Sequence, residues 1–342
     1  MGKPGNHHRP QTLRSKYPLW SPPDAPTPAP NKASVTTAPP PRLTGFDPET
    51  SRELPDKRDA YQRVYRNADG TQTTEFSTSP VNHRRPDGSW APIDTRLVAD
   101  RDGWRNAADA VSVRIAGRAN APVVARIGLD ATHEIGFGLS GATGVPGQAD
   151  HSTVTYREAY PGVDVRLESV SGGVKESLVL RSPQAARSYR FPLRLRGLTA
   201  AMVDDEVVFT DEAGTRRAVI PAGFMADADS AISYGVRYRL VDGALEMSLD
   251  EAWLNDPARR WPVLVDPSVA TGAASSSMVV HGSRSSSGSD ELLVGRSGGA
   301  AAASYLKFDG LVERLRGHTI YGVQLSIVNF DAPSCQPRPV TV

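Results

Sequence analysis

The chain has 342 residues, enough for about two domains, each with a core of its own. Its 39 lysines and arginines nearly cancel its 38 aspartates and glutamates, leaving a net charge of +1. That balance supplies no overall basic footprint for nucleic acid or for an anionic membrane surface. The longest apolar runs are a few residues, far below the roughly 20 that span a bilayer, and a lone cysteine, Cys335, excludes an intrachain disulfide framework.

Met1 to Trp20 is polar, carries His7-His8-Arg9 and shows no apolar core of a secretory signal. Residues 1–44 read as a disordered, Pro-rich tether. Prolines such as Pro22, Pro23, Pro39, Pro40 and Pro41 cannot donate ladder hydrogen bonds, and apolar side chains are too sparse to offset ordering entropy.

From Gly45 to about Pro267 the pattern is strand after strand. Tyr61 to Tyr65 and Thr71 to Phe76 flank Asn67-Ala68-Asp69-Gly70, and Asp87-Gly88 precedes Trp90. Val111 to Ile115 alternates, and Val163 to Glu168 and Val174 to Leu180 flank Gly172-Gly173. Phe191 to Leu195 and Glu206 to Phe209 follow. Val236-Arg237-Tyr238-Arg239-Leu240 then puts three apolar side chains on one face and two arginines on the other. Asp242-Gly243 turns the chain, and Leu245 to Asp250 repeats the alternation. Period-two patterning across Gly-containing turns is the signature of antiparallel pairs with one face in a core. Helical periodicity is confined to Pro183–Ser188 and Glu251–Asn255.

A composition break follows, where Ser275-Ser276-Ser277 and Ser285-Ser286-Ser287-Gly288-Ser289 bracket Met278-Val279-Val280. Strand signals resume at Glu291–Val294, Tyr305–Phe308 and Val323–Val328. The expected fold is all-β: a module over 45–268 of two antiparallel β-sandwich-like lobes dividing near Arg181, then a truncated C-terminal β-sandwich over 269–342.

Motifs of chemistry are sparse. Gly136-Phe137-Gly138-Leu139-Ser140-Gly141 matches G-x-G-x-x-G, but helix-breaking residues through Gly147 follow it, so it reads as a turn and not as a dinucleotide site. His133-Glu134 lacks the second histidine of H-E-x-x-H. The acidic stretches Asp100-Arg101-Asp102-Gly103, Asp204-Asp205-Glu206 and Asp227-Ala228-Asp229 lack the twelve-residue calcium loop. Trp90, Trp104, Trp253 and Trp261 read as core or seam residues.

Several strings resemble a family. Asp69-Gly70-Thr71, Ser79-Pro80-Val81-Asn82, Pro86-Asp87-Gly88-Ser89-Trp90, Tyr160-Pro161-Gly162-Val163-Asp164-Val165 and Trp261-Pro262-Val263-Leu264-Val265-Asp266-Pro267 look, in this order, like the N-terminal region of large actinobacterial RHS/YD-repeat proteins. The tail, with Leu292-Leu293-Val294-Gly295 and Ser304-Tyr305-Leu306-Lys307-Phe308, resembles the start of a DNRLRE-type, carbohydrate-binding-module-like sandwich. The resemblance implies a secreted or cell-wall-associated protein with RHS/YD repeats downstream.

The expected function is a non-catalytic structural or adhesion module of such a protein, not an enzyme, with no cofactor, no nucleic-acid partner and no membrane span. One alternative is a module binding cell-wall or extracellular polysaccharide, with Tyr305, Phe308 and Tyr321 as candidate sugar contacts. The other is a secreted enzyme lacking its catalytic part.

Overall fold

The computed structural model describes residues 45–229, 231–266, 275–281, 284–287, 295–297, 300–308 and 311–325. The expected tether over 1–44 and Cys335 lie outside the described residues. What is described is almost entirely antiparallel β-structure, as the alternation predicts.

Two small sheets open the chain. Strands Gln62–Arg66 and Gln72–Phe76 form the expected hairpin, joined on one edge by Arg52–Glu53. Its turn closes because Asp69 accepts the Thr71 backbone N–H at 2.9 Å and Gly70 supplies a φ of +82°. A second hairpin pairs Asn82–Arg84 with Trp90–Pro92 around Asp87-Gly88. Asn82 ties the two together by donating to the carbonyls of Asp59 and Gln62.

Two large sheets follow. The first has eight strands in the order Val236–Val241, Ala244–Leu249, Ser188–Arg196, Glu134–Phe137, Ala125–Gly128, Ser112–Ala116, Gly103–Ala108 and Asp94–Asp100. The second has seven, in the order Gln148–Asp150, Thr153–Tyr160, Val163–Val170, Gly173–Leu180, Val263–Asp266, Phe224–Ala226 and Ile232–Ser233. Alternate residues of both enter one hydrophobic cluster. Ile115, Ile127, Ile135, Phe191 and Met247 come from the first sheet; Tyr156, Leu167, Leu178, Leu180 and Val265 come from the second. A pleated strand sends successive side chains to opposite faces, so one period-two pattern specifies both the core and the outer surface.

Arg181, where a division into lobes is expected, lies at the passage of the chain from the second sheet back to the first. The hydrophobic cluster runs from Val111 to Val265, through both sides of that point. Arg181 grips the buried Asp164 with both carboxylate oxygens at 2.6 Å and reaches Glu158 at 3.1 Å. Burial alone would raise the Asp164 pKa; Arg181 and the Glu158 backbone N–H outweigh it and hold the carboxyl below its ordinary value.

A three-stranded sheet of Thr199–Val203, Glu206–Thr210 and Arg216–Ile220 contributes Val207, Phe209, Ala218 and Ile220 to the same cluster. Asp250 caps the single helical turn Glu251–Leu254 through the Ala252 and Trp253 backbone N–H groups. Past the composition break, Arg284–Ser287, Ser275–His281, Ala300–Phe308 and Gly295–Ser297 form a four-stranded sheet followed by the short helix Leu311–Leu315. Arg314 on that helix pairs with Asp59 and lies over the Phe76 ring.

Phe191 is 2% exposed and meets Phe137 edge to face, with ring centroids 6.4 Å apart. Truncating it to alanine removes packing against both sheets at once. Phe191→Ala is expected to cost about 3–5 kcal/mol, read as a lowered midpoint in urea denaturation; a loss under about 1 kcal/mol would show that the two sheets do not share their core.

Candidate functional site

An open concavity of about 480 Å3 lies at one end of the first sheet and is lined by His83, the stretch from Arg105 to Arg114, and Gly128 to Asp130. Buried Asn106 fixes the connection between the two strands, donating to the Val111 carbonyl at 2.9 Å and accepting the Val113 N–H at 3.0 Å. Asp109 accepts the Ala110 N–H at 2.6 Å and, across the fold, the Gly172 N–H at 3.1 Å. Burial raises the Asp109 pKa, while those N–H groups and nearby His83 pull it back.

Asp130 is bound more completely. It accepts the backbone N–H of Thr132 at 2.8 Å and of His133 at 2.9 Å, the His133 ring Nδ1 at 2.8 Å, and Arg217 of the three-stranded sheet. The bonds from Thr132 and His133 hold its carboxyl far below the ordinary range. Both carboxylates therefore serve as anchors with their lone pairs engaged. Arg105 and Arg114 are exposed at the groove beside exposed Ser112 and Asp130, and Arg114 lies 3.4 Å from Asp100, so the lining presents two cations whose neighbouring carboxylates are already engaged.

A second polar feature is buried. On strand Gly173–Leu180, Glu176 shares its face with Val174, Leu178 and Leu180, all members of the core. Its Oε1 has no hydrogen-bond partner among the described residues, and the hydroxyls of Tyr160 and Tyr238 share that state. Glu176 lines a cavity of about 10 Å3 with Ile135, Phe137, Phe191, Leu193, Phe209, Ile220 and Leu245, at the lower limit for a single water. Burial, reinforced by the Asp266 carboxylate, pushes its pKa up to about 8. Lys175, on the opposite face of the same strand, binds Asp266 at 3.0 Å. The sequence signal was the parity of Val174-Lys175-Glu176-Ser177-Leu178, which places a carboxyl among core positions.

The structure separates the candidate sugar contacts. Tyr305 and Phe308 lie three residues apart on strand Ala300–Phe308, so they face opposite sides of the sheet; Tyr305 is 58% exposed and Phe308 half-buried. Tyr321, 71% exposed, lies beyond the helix in an irregular stretch. Gly136 of the G-x-G-x-x-G string sits inside strand Glu134–Phe137, paired on both sides, and Gly141 turns the chain at a φ of +76°. Asp227 of an acidic stretch is a satisfied buried anion, bound by Arg259 at 2.6 Å and by backbone N–H groups of Asp229, Ala231 and Arg260. Arg259 in turn lies 3.5 Å from the centre of the Trp253 ring. Among the described residues no group of three or more His, Cys, Asp or Glu is placed to hold a metal ion.

Comparison with characterised proteins places relatives beside this geometry. The chain is similar to the tRNA nuclease WapA of Bacillus subtilis strain 168, 23% identical over 267 residues. It is equally similar to the tRNA(Glu)-specific nuclease WapA of Bacillus subtilis subsp. natto, and 22% identical over 257 residues to the tRNA3(Ser)-specific nuclease WapA of Bacillus spizizenii. The matches cover 69%, 69% and 67% of this chain but only 11% of each relative. The chain thus spans about a tenth of the length of these relatives. No family model matches the chain, and no solved structure matches it.

These relatives correct one expectation. A protein that is not an enzyme was expected because the sequence assembles no catalytic constellation, yet all three relatives are named as nucleases. The expectation failed because a search for local catalytic strings tests one stretch of chain, whereas the activity in those names belongs to proteins many times longer. No helix among the described residues is long and apolar enough to cross a membrane.

The buried carboxyl makes stability pH-dependent with a definite sign. Glutamate titrates near 4.5 when unfolded and Glu176 at about 8 when folded. Across that window the folded state keeps a proton that the unfolded state releases. Its contribution is therefore full below about 4.5, is lost as pH rises, and levels off above about 8. In urea denaturation the Glu176→Gln variant should gain on the wild type steadily across this window. A difference independent of pH would mean that the core carboxyl is already ionised.

Proposed function

We propose that this chain is a β-rich, RHS-like segment of a longer, secreted or wall-associated protein of the tRNA-nuclease type, and that its sandwich acts as a rigid adhesion and spacing module within it. The observation that carries this reading is the match to three tRNA nucleases over more than two thirds of this chain but a tenth of theirs. The ordered strings from Asp69 to Pro267 support the RHS-like part. The interleaved sheets support the mechanical part, since strands from Asp94 to Asp266 share one core and must yield together.

A second reading, contact with extracellular polysaccharide, rests on the exposure of Tyr305 and Tyr321. An aromatic ring held in water offers a face on which an apolar sugar face can stack.

The test uses the protein made from its own locus. An antibody against residues 45–266 should detect, in the wall or culture fraction, a species several times longer than this chain, and the captured protein should cleave tRNA. Detection only of a cytosolic species of this length, with tRNA left intact, would overturn the reading.

A further inference from the structure

The outer face of the eight-stranded sheet carries a charge pattern that the whole-chain balance conceals. Register places Arg105 opposite Arg114, Arg114 opposite Arg126, Arg126 opposite Gly136, and Gly136 opposite Arg194. Four arginines thus lie in one row across five strands, a span of about 19 Å at roughly 4.8 Å between strands. All four are exposed. The parity that sends Val113, Ile115, Ile127 and Leu193 into the core sends these arginines out. The same face carries Arg190 and Arg196 on the Arg194 strand, and Arg237 and Arg239 on the edge strand.

Against these eight arginines the outward strand positions hold three carboxylates, Asp100, Glu134 and Glu246. Asp100 lies 3.4 Å from Arg114, Glu134 binds Arg126 at 2.8 Å, and Glu246 is shared by Arg190 at 2.6 Å and Arg239 at 3.0 Å. Among the described residues Arg105, Arg194 and Arg237 have no carboxylate within ion-pair distance. The face is therefore strongly cationic in a chain whose net charge is +1. Whole-chain balance conceals this because arginines are concentrated on the outer face of one sheet while carboxylates are spread over the rest of the chain.

The outward strand positions hold Gly, Ala, Ser, Pro and Val beside the charged residues, and no Phe, Tyr or Trp. Recognition of single-stranded nucleic acid combines a basic track with aromatic platforms on which bases stack. Here the track is present without the platforms, and the strands carrying it present no helix to enter a duplex groove. We propose that this arginine row binds a base-free phosphodiester polymer, of the polyol-phosphate kind found in cell walls, along the line Arg105–Arg114–Arg126–Arg194. The inference rests on the wall-associated part of the proposed function and gives that attachment a surface and a chemistry. The groove containing Arg105 and Arg114 is one end of the track, with Asp109 and Asp130 held back on their own donors.

The test titrates the full chain with poly(glycerol phosphate) at low and moderate salt. Binding should weaken steeply with salt. The triple variant Arg105→Gln/Arg114→Gln/Arg194→Gln should bind at least about 10-fold more weakly, with a log–log salt slope shallower by about 2, since each phosphate left unneutralised lowers the slope by roughly 0.7–0.9. The corresponding triple Arg→Lys variant should restore most of the binding, because the polymer is held by charge. Should the glutamine triple fail to fold by circular dichroism, Arg237→Gln/Arg239→Gln on the edge strand tests the same face. Unchanged binding by a folded glutamine variant would overturn the proposal. Tighter binding of single-stranded RNA of equal phosphate number would also overturn it, assigning the face to nucleic acid. Failure of the wild-type chain to bind the polymer, with tRNA cleavage by the longer protein intact, would remove this inference alone.

Discussion

Everything in this molecule depends on the alternation of side chains along pleated strands packed in two layers. Antiparallel strands bury one face and wet the other, so each residue's destination is fixed by its parity in the strand. Val113 and Ile115 fill the interior while Arg114 between them meets solvent. A slip of one residue would exchange the two sets, driving arginines inward, and the register is correspondingly unambiguous across both sheets.

Where polar groups do enter, most are matched. Asp164 has Arg181, Asp227 has Arg259 and three backbone donors, and Asn106 makes bonds with both ends of its amide. The two ion pairs also join residues 17 and 32 positions apart, so they fix how the connections cross as well as neutralising charge. Glu176 departs from this rule, since one of its oxygens lies among apolar side chains. The protein tolerates it by keeping the carboxyl protonated, which makes it a polar but uncharged filler.

Much of the fold was legible in the sequence. The hairpin from Val236 to Leu249 could be read residue by residue, because Asp242-Gly243 marks the turn and both arms alternate. The helix-breaking surroundings of Gly136 to Gly141 pointed to a turn, which comes at Ser140-Gly141, while Gly136 and Phe137 belong to a paired strand. The order of strands in the sheets was not legible: pairing of Leu178 with Val265, or of Phe137 with Leu193, joins segments that no local pattern connects. The arginine row was hidden for the same reason, since Arg105, Arg114, Arg126 and Arg194 are dispersed in the chain and only the register aligns them. Tyr305, Phe308 and Tyr321 were grouped by residue type, and parity along the strand then parted the first two. The nuclease relatives were out of reach because their names describe proteins several times longer than this chain, of which the match covers 11%.

The way the two sheets are threaded has a kinetic consequence. The chain enters the first sheet at Asp94, leaves it after Phe137, builds most of the second, returns at Ser188, and completes the second only at Val263–Asp266. Neither layer closes until its last partner has been delivered, and contacts between remote segments form slowly. With this wiring the two layers can lock only after Val263–Asp266 has emerged, so the late-arriving strand sets when the whole fold becomes closed.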